Sequence, residues 1–123
     1  MPVLTRVLWW WGPVVFYMAV LWVLSSQSAL PGASLTPDWA QHGVGYAGLA
    51  VVTLRATARG QWARVGARPM LAAWLITVAY GMIDEWHQSF VPARMADPAD
   101  VAADAIGAAA GLAAVWAWGI IRR

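Results

Sequence analysis

The chain reads as an all-α integral membrane bundle of four transmembrane helices in one domain, residues 1–123, with both termini in the cytoplasm. Three observations predict this. Of the 123 residues, 61% are hydrophobic and only 11% charged, with ten Trp and no Lys, a composition remote from that of soluble domains. Four apolar stretches, at about 7–26, 39–57, 70–88 and 101–121, approach the roughly 20 residues that a helix needs to cross a hydrocarbon core. Seven of the eight Arg residues fall on one side of a four-span arrangement, and positive residues are retained on the cytoplasmic side of short loops.

The first stretch carries Trp9, Trp10, Trp11 and Trp22, which suit an interfacial belt, and Arg6 precedes it. "SQSALPGAS" follows it with small residues of the kind found at signal-peptide cleavage sites. The apolar run exceeds the roughly 7 to 15 residues of a signal core, so retention as a helix is expected. The second stretch opens on "TPD", readable as Thr36 at the N-cap, Pro37 at the first helical position and Asp38 in the first turn. Successive helical residues turn by about 100°, so Asp38, Gln41, His42, Gly45, Tyr46 and Leu49 form one stripe.

Arg55, Arg59, Arg64 and Arg68 separate the second stretch from the third. In the third, Thr77, Tyr80, Gly81, Asp84, His87 and Gln88 share one side, and Leu75, Met82 and Trp86 the other. That division predicts a bundle face and a lipid face. "DPAD" before the fourth stretch reads as N-cap Asp97, Pro98 and a first-turn Asp100. Asp104, Gly107, Ala108 and Gly111 continue its inward stripe. Gly107 and Gly111 have the small-residue spacing that lets membrane helices approach closely, and both are expected to serve packing. Short connections make neighbouring helices antiparallel.

All six acidic residues, Asp38, Asp84, Glu85, Asp97, Asp100 and Asp104, then lie toward the outer side with Arg94 as their basic companion. Capping explains Asp97 and part of Asp38 and Asp100. It does not explain Asp84 and Glu85, which stand at a helix C-terminal end where the dipole disfavours negative charge, nor Asp104, a full turn inside the fourth stretch. A charge near the bilayer interior costs about 2.5 kcal/mol on the most lenient scale, so such a group needs compensation. Arg94, protonated His42 or His87, protons on some carboxyls, or a divalent cation could supply it. The expected polar pocket comprises Asp38, His42, Asp84, Glu85, His87, Gln88, Arg94, Asp100 and Asp104, with Arg94 paired to Asp84, Glu85 or Asp100. Tyr46 and Tyr80 are expected as structural hydrogen-bonders.

These residues resemble the VanZ-like family of small bacterial membrane proteins, named for a protein associated with teicoplanin resistance. The elements that carry the resemblance are Asp38 with His42, then Asp84, Glu85, His87 and Gln88, then Pro92, Arg94 and Asp100 leading into Gly107 and Gly111, with Ser25, Ser26 and Gln27 ending the first helix. Trp39 stands where the family pattern has Lys, and Asp104 where it has Asn. Location in the bacterial cytoplasmic membrane, and a non-enzymatic envelope role affecting glycopeptide susceptibility, are what the resemblance implies.

Three functions stay open on the residues. One is a pocket in the outer leaflet for a lipid-linked or glycopeptide-like ligand of the cell envelope. Another is a metal-dependent enzyme acting on a lipid head group, because Asp38 with His42 and Asp84 with His87 form helical pairs that can share one ion. The third is a proton-coupled carrier. No cofactor is required by the first reading, and a divalent metal belongs to the second. Membrane lipids are the expected surroundings, and the glycine face could support a homo-oligomer. The net charge of +2 is too small for a nucleic-acid partner, and the lack of Cys excludes disulfides and thiolate metal sites.

Overall fold

In a computed structural model, which describes residues 1–27, 38–62 and 65–122 and the side chains of these except Asp38, the chain forms four helices. They are α1 (Val3–Ser25), α2 (Asp38–Thr57), α3 (Ala67–Gln88) and α4 (Pro98–Ile121), and the described residues contain no strand. Thr36, Arg64 and Arg123 lie outside the described residues.

Each helix starts before its apolar stretch does. Hydropathy measures the length that can sit in hydrocarbon, whereas a helix continues as long as its backbone bonds close. At α4 the start is set by local chemistry: Asp97 is the N-cap, its Oδ1 accepts from the Ala99 amide at 2.9 Å, and Pro98 follows at N1, where its missing N–H costs nothing. At α3, Pro69 falls within the first turn for the same reason.

The helices alternate in direction. Tyr17 donates to the Gly45 carbonyl at 2.7 Å between α1 and α2, and Thr57 to the Pro69 carbonyl at 2.9 Å between α2 and α3. Trp74 donates to the Ala105 carbonyl at 3.0 Å between α3 and α4. Helix α2 packs against all three others, most extensively against α4. These two run parallel, with Gly43 facing Gly107 and Ala47 facing Gly111. A Cβ added at Gly107 would stand 2.7 Å from the Gly43 Cα, and one at Gly111 2.7 Å from the Ala47 carbonyl oxygen. Small residues on both helices thus bring the two backbones together.

Where α2 and α4 end, the core is apolar, built from Ala50, Leu54, Val65, Ala73, Ala108 and Leu112. Helix α1 lies more peripherally, with only Val14 and Ser25 buried. Its docking turns on Pro13, which lacks the N–H that would satisfy the Trp9 carbonyl. The Arg55 guanidinium supplies that bond at 3.0 Å while lying over the rings of Trp9 and Trp10, at 5.1 and 4.9 Å from their centroids.

Large apolar side chains cover the outside, among them Leu8, Phe16, Val44, Leu75, Met82, Trp86, Ile106 and Trp116. The polar residues of α3 turn inward, and Leu75, Met82 and Trp86 turn out. Helices α1 and α4 are long and apolar enough to cross a membrane. Helices α2 and α3, of 20 and 22 residues, are less apolar because their inward faces carry the polar groups described next.

Candidate functional site

The polar residues gather at the end of the bundle where α2 and α4 begin. On α3, Asp84 and Glu85 are consecutive and so point about 100° apart. Asp84 turns toward α2 and α1, and Glu85 toward the start of α4. Two linked groups result, with His42 lying between them.

The first group lies between α2, the end of α3 and α4. Nδ1 of His42 donates to Oδ1 of Asp104 at 2.8 Å, and its Nε2 stands 3.9 Å from Oδ2 of Asp100. Asp100 and Asp104 are one turn apart on the inward stripe of α4, and are 5% and 0% exposed. Asp104 can enter so deeply because α3 presents Gly81 there: a Cβ at that position would lie 2.8 Å from Oδ2 of Asp104. Glu85, 7% exposed, accepts the Asp97 amide on Oε1 at 2.5 Å, which ties the end of α3 to the cap of α4. Its Oε2 is buried and has no hydrogen-bond partner among the described residues. Ligand atoms of His42, Glu85 and Asp100 lie within 4.8 Å of one another.

The second group lies between α1, α2 and α3. Tyr46 donates to Oδ2 of Asp84 at 2.7 Å. Oδ1 of the same carboxylate stands 3.9 Å from Nδ1 of His87, beyond hydrogen-bond reach. The His87 imidazole is stacked on Trp22 of α1, with ring centroids 3.7 Å apart, and its Nε2 is 3.4 Å from the Ser26 hydroxyl. A cavity of about 160 Å³ opens here, walled by Leu21, Leu24 and Ser25 of α1, Gln41, His42 and Tyr46 of α2, Asp84 and Gln88 of α3, and Arg94.

Arg94 corrects the expectation of a carboxylate partner. Its Nε donates to the Gln27 carbonyl at 2.9 Å and its guanidinium to the Leu24 carbonyl at 3.3 Å. Arg94 thus joins the Gln27 amide on the Leu24 carbonyl and holds the Gln27 carbonyl just beyond the end of α1. It sits in a turn containing Ala93, whose φ of 63° is left-handed. Arg94 still borders the cavity, but as the clamp on α1.

Of the expected pocket residues, His42, Glu85, Asp100 and Asp104 meet in the first group, and Asp84, His87, Gln88 and Arg94 surround the second. The Asp38 side chain lies outside those described. Of the metal candidates Asp38, His42, Asp84 and His87, the Asp38 side chain lies outside those described and His42 and His87 belong to different groups; among the described residues, the ligand atoms that converge are those of His42, Glu85 and Asp100. The polar stripes of the other helices do not reveal the part played by α1. Trp22, Ser26, Leu21 and Leu24 complete the site, and "SSQ" at residues 25–27 is the one sequence signal that points to them.

A protein-family model described as VanZ/LLP1 matches residues 8–121. No curated protein and no solved structure matches the chain.

Proposed function

The chain belongs to the VanZ/LLP1 family, and from that premise we propose a four-span protein of the bacterial cytoplasmic membrane, termini inside, whose outer-leaflet pocket holds the polar head of a lipid-linked or glycopeptide-like envelope ligand. Binding there changes how a glycopeptide antibiotic such as teicoplanin meets its target. The observation that carries this reading is the cavity between α1, α2 and α3, which joins an apolar wall from α1 to the polar groups of Asp84, Gln88 and Arg94. A ligand with a lipid tail and a polar head matches such a lining.

Four spans are supported by the alternating helix directions and by lengths of 20 to 24 residues, roughly 30 to 36 Å at 1.5 Å per residue. Trp22, Trp39, Trp86, Trp116 and Trp118 stand near helix ends and Trp62 in the connection after α2, in keeping with two interfacial belts. The orientation rests on the arginines, since Arg6, Arg55, Arg59 and Arg122 mark the end opposite the polar groups. The apolar core at that end favours a pocket over a transport path, because a carrier needs polar access from both sides.

Gln88→Leu tests the reading, since Gln88 lines the cavity and Leu keeps its approximate volume while removing the amide. Teicoplanin susceptibility would be measured in cells carrying the wild-type or variant protein at matched membrane abundance. The wild type should shift susceptibility and Gln88→Leu should lose most of that shift. An equal shift from both proteins, or none from the wild type, would refute the proposal.

A further inference from the structure

We propose that His42, Glu85 and Asp100 form a binding site for one divalent cation of the Zn²⁺ or Mn²⁺ class, with Asp104 positioning His42. The site shares His42 with the cavity between α1, α2 and α3, but its carboxylates come from the other polar group, and the inference stands apart from the ligand reading above.

Three features of the first polar group point to a cation. The first is the orientation of His42. A carboxylate only accepts, so in the neutral imidazole the 2.8 Å contact with Asp104 draws the ring proton to Nδ1, and the lone pair is then on Nε2. Metal-ligating His side chains are commonly held this way, the other ring N–H being given to a carboxylate that fixes tautomer and orientation. Nε2 then faces Oδ2 of Asp100 at 3.9 Å. That is long for a hydrogen bond, but two donors on one ion with bonds of about 2.1 Å are separated by about 3 to 4.2 Å.

The second is Glu85. The Asp97 amide occupies Oε1, whereas Oε2 is buried and accepts from no group among the described residues. Leaving a buried carboxylate oxygen unsatisfied is costly, and a cation is the partner that satisfies it best in an interior. The ligand atoms of the three residues fall within 4.8 Å of one another, the reach of one cation with bonds of about 2.0 to 2.4 Å.

The third is charge. Among the described side chains, Glu85, Asp100 and Asp104 surround one imidazole, which carries at most one positive charge and, as a metal ligand, none. Arg94, the nearby fixed cation expected to balance them, is committed to the end of α1. A divalent ion offsets two of the three negative charges at the point where they converge. One imidazole with carboxylates suits Zn²⁺ or Mn²⁺ better than Mg²⁺, which prefers oxygen ligands alone, or Cu⁺, which prefers thiolates.

The test uses the full chain in lipid nanodiscs, stripped with chelator and titrated with Zn²⁺ and with Mn²⁺. Bound metal is counted by mass spectrometry and affinity read by calorimetry. One equivalent should bind and raise the melting temperature. Glu85→Gln and Asp100→Asn should each weaken binding more than about tenfold, and Asp104→Asn by about tenfold through loss of orientation. Asp84→Asn, one residue from Glu85 but outside the trio, should stay within about threefold, as expected of a charge that only acts at a distance. With Mn²⁺ bound, pulsed electron paramagnetic resonance should show coupling to one imidazole nitrogen, a signal read on the folded wild type and absent from His42→Ala. Failure of the wild type to hold a stoichiometric ion would overturn the proposal. So would equal weakening by Asp84→Asn and Glu85→Gln, which would indicate diffuse attraction by carboxylates, or a bound ion without a nitrogen signal. None of these readouts involves antibiotic susceptibility, so the two proposals can fail separately.

Discussion

Tyr46 and Gly81 show how single residues make buried carboxylates tolerable. Tyr46 is almost fully buried, and its hydroxyl reaches Oδ2 of Asp84 at 2.7 Å. Tyr46→Phe keeps the ring packing but strands that oxygen, and should lower stability by about 1 to 3 kcal/mol, measured by thermal or denaturant unfolding in detergent. If Asp84→Asn removed the same increment in the Tyr46→Phe background as in the wild type, the two groups would not be coupled. Gly81 acts by having no side chain. Gly81→Ala would place a methyl 2.8 Å from Oδ2 of Asp104 and 3.3 Å from Cε1 of Tyr46, so both groups must move. The expected loss is about 1 to 3 kcal/mol, although Ala is the better helix former. A Gly81→Ala variant as stable as the wild type would mean that Asp104 can withdraw at no cost. The acids and His residues of this site were legible in the sequence because charge inside an apolar run is conspicuous. The direction of Arg94 was not: its choice of the Gln27 and Leu24 carbonyls over nearby carboxylates depends on where α1 ends in space, and spacing along the chain holds no record of that.

At the scale of the helix, apolar length and the inward stripes located α2, α3 and α4 well, because one-sided burial imposes its period on the sequence. Helix α1 carries no charged residue after Arg6 to mark an inward face, so the sequence left its contacts open. They are made by exceptions: Pro13, which frees the Trp9 carbonyl; Tyr17, which reaches across to Gly45; and Trp22, which stacks on His87. Arg55 is where the first exception becomes docking, since a planar guanidinium can hydrogen-bond the freed carbonyl and cover two Trp rings together. Arg55→Lys keeps the positive charge but loses the planar stacking group. It should loosen the Trp-bearing end of α1, raising amide exchange around residues 6–12 while leaving the α2–α4 contact protected. Unchanged exchange in that segment would show that α1 is held by its apolar contacts alone.

The whole molecule divides along its length, and the division is what the proposed orientation requires. Four buried carboxylates lie at the end where α2 and α4 start, and Arg6, Arg55, Arg59 and Arg122 at the end where they finish. The core between them passes from Tyr46 and Asp104 to Leu54, Ala73 and Leu112. A bilayer laid across the exposed apolar side chains would leave the arginine end beside one head-group layer and the polar groups beside the other. The proposed orientation takes the arginine end to be the cytoplasmic one, by the positive-inside tendency. The absence of native Cys makes this directly measurable, because a single introduced thiol is the only reactive one. Gln61→Cys, in the exposed turn after α2, should resist a membrane-impermeant maleimide in intact spheroplasts and react after permeabilisation. Ala96→Cys, exposed before the α4 cap, should react in both. The opposite pattern would invert the protein and move the polar pocket to the cytoplasmic leaflet, where an extracytoplasmic glycopeptide could not reach it. Labelling at both sites from outside would exclude four spans, because an odd number of crossings between residues 61 and 96 demands that the two thiols lie on opposite sides.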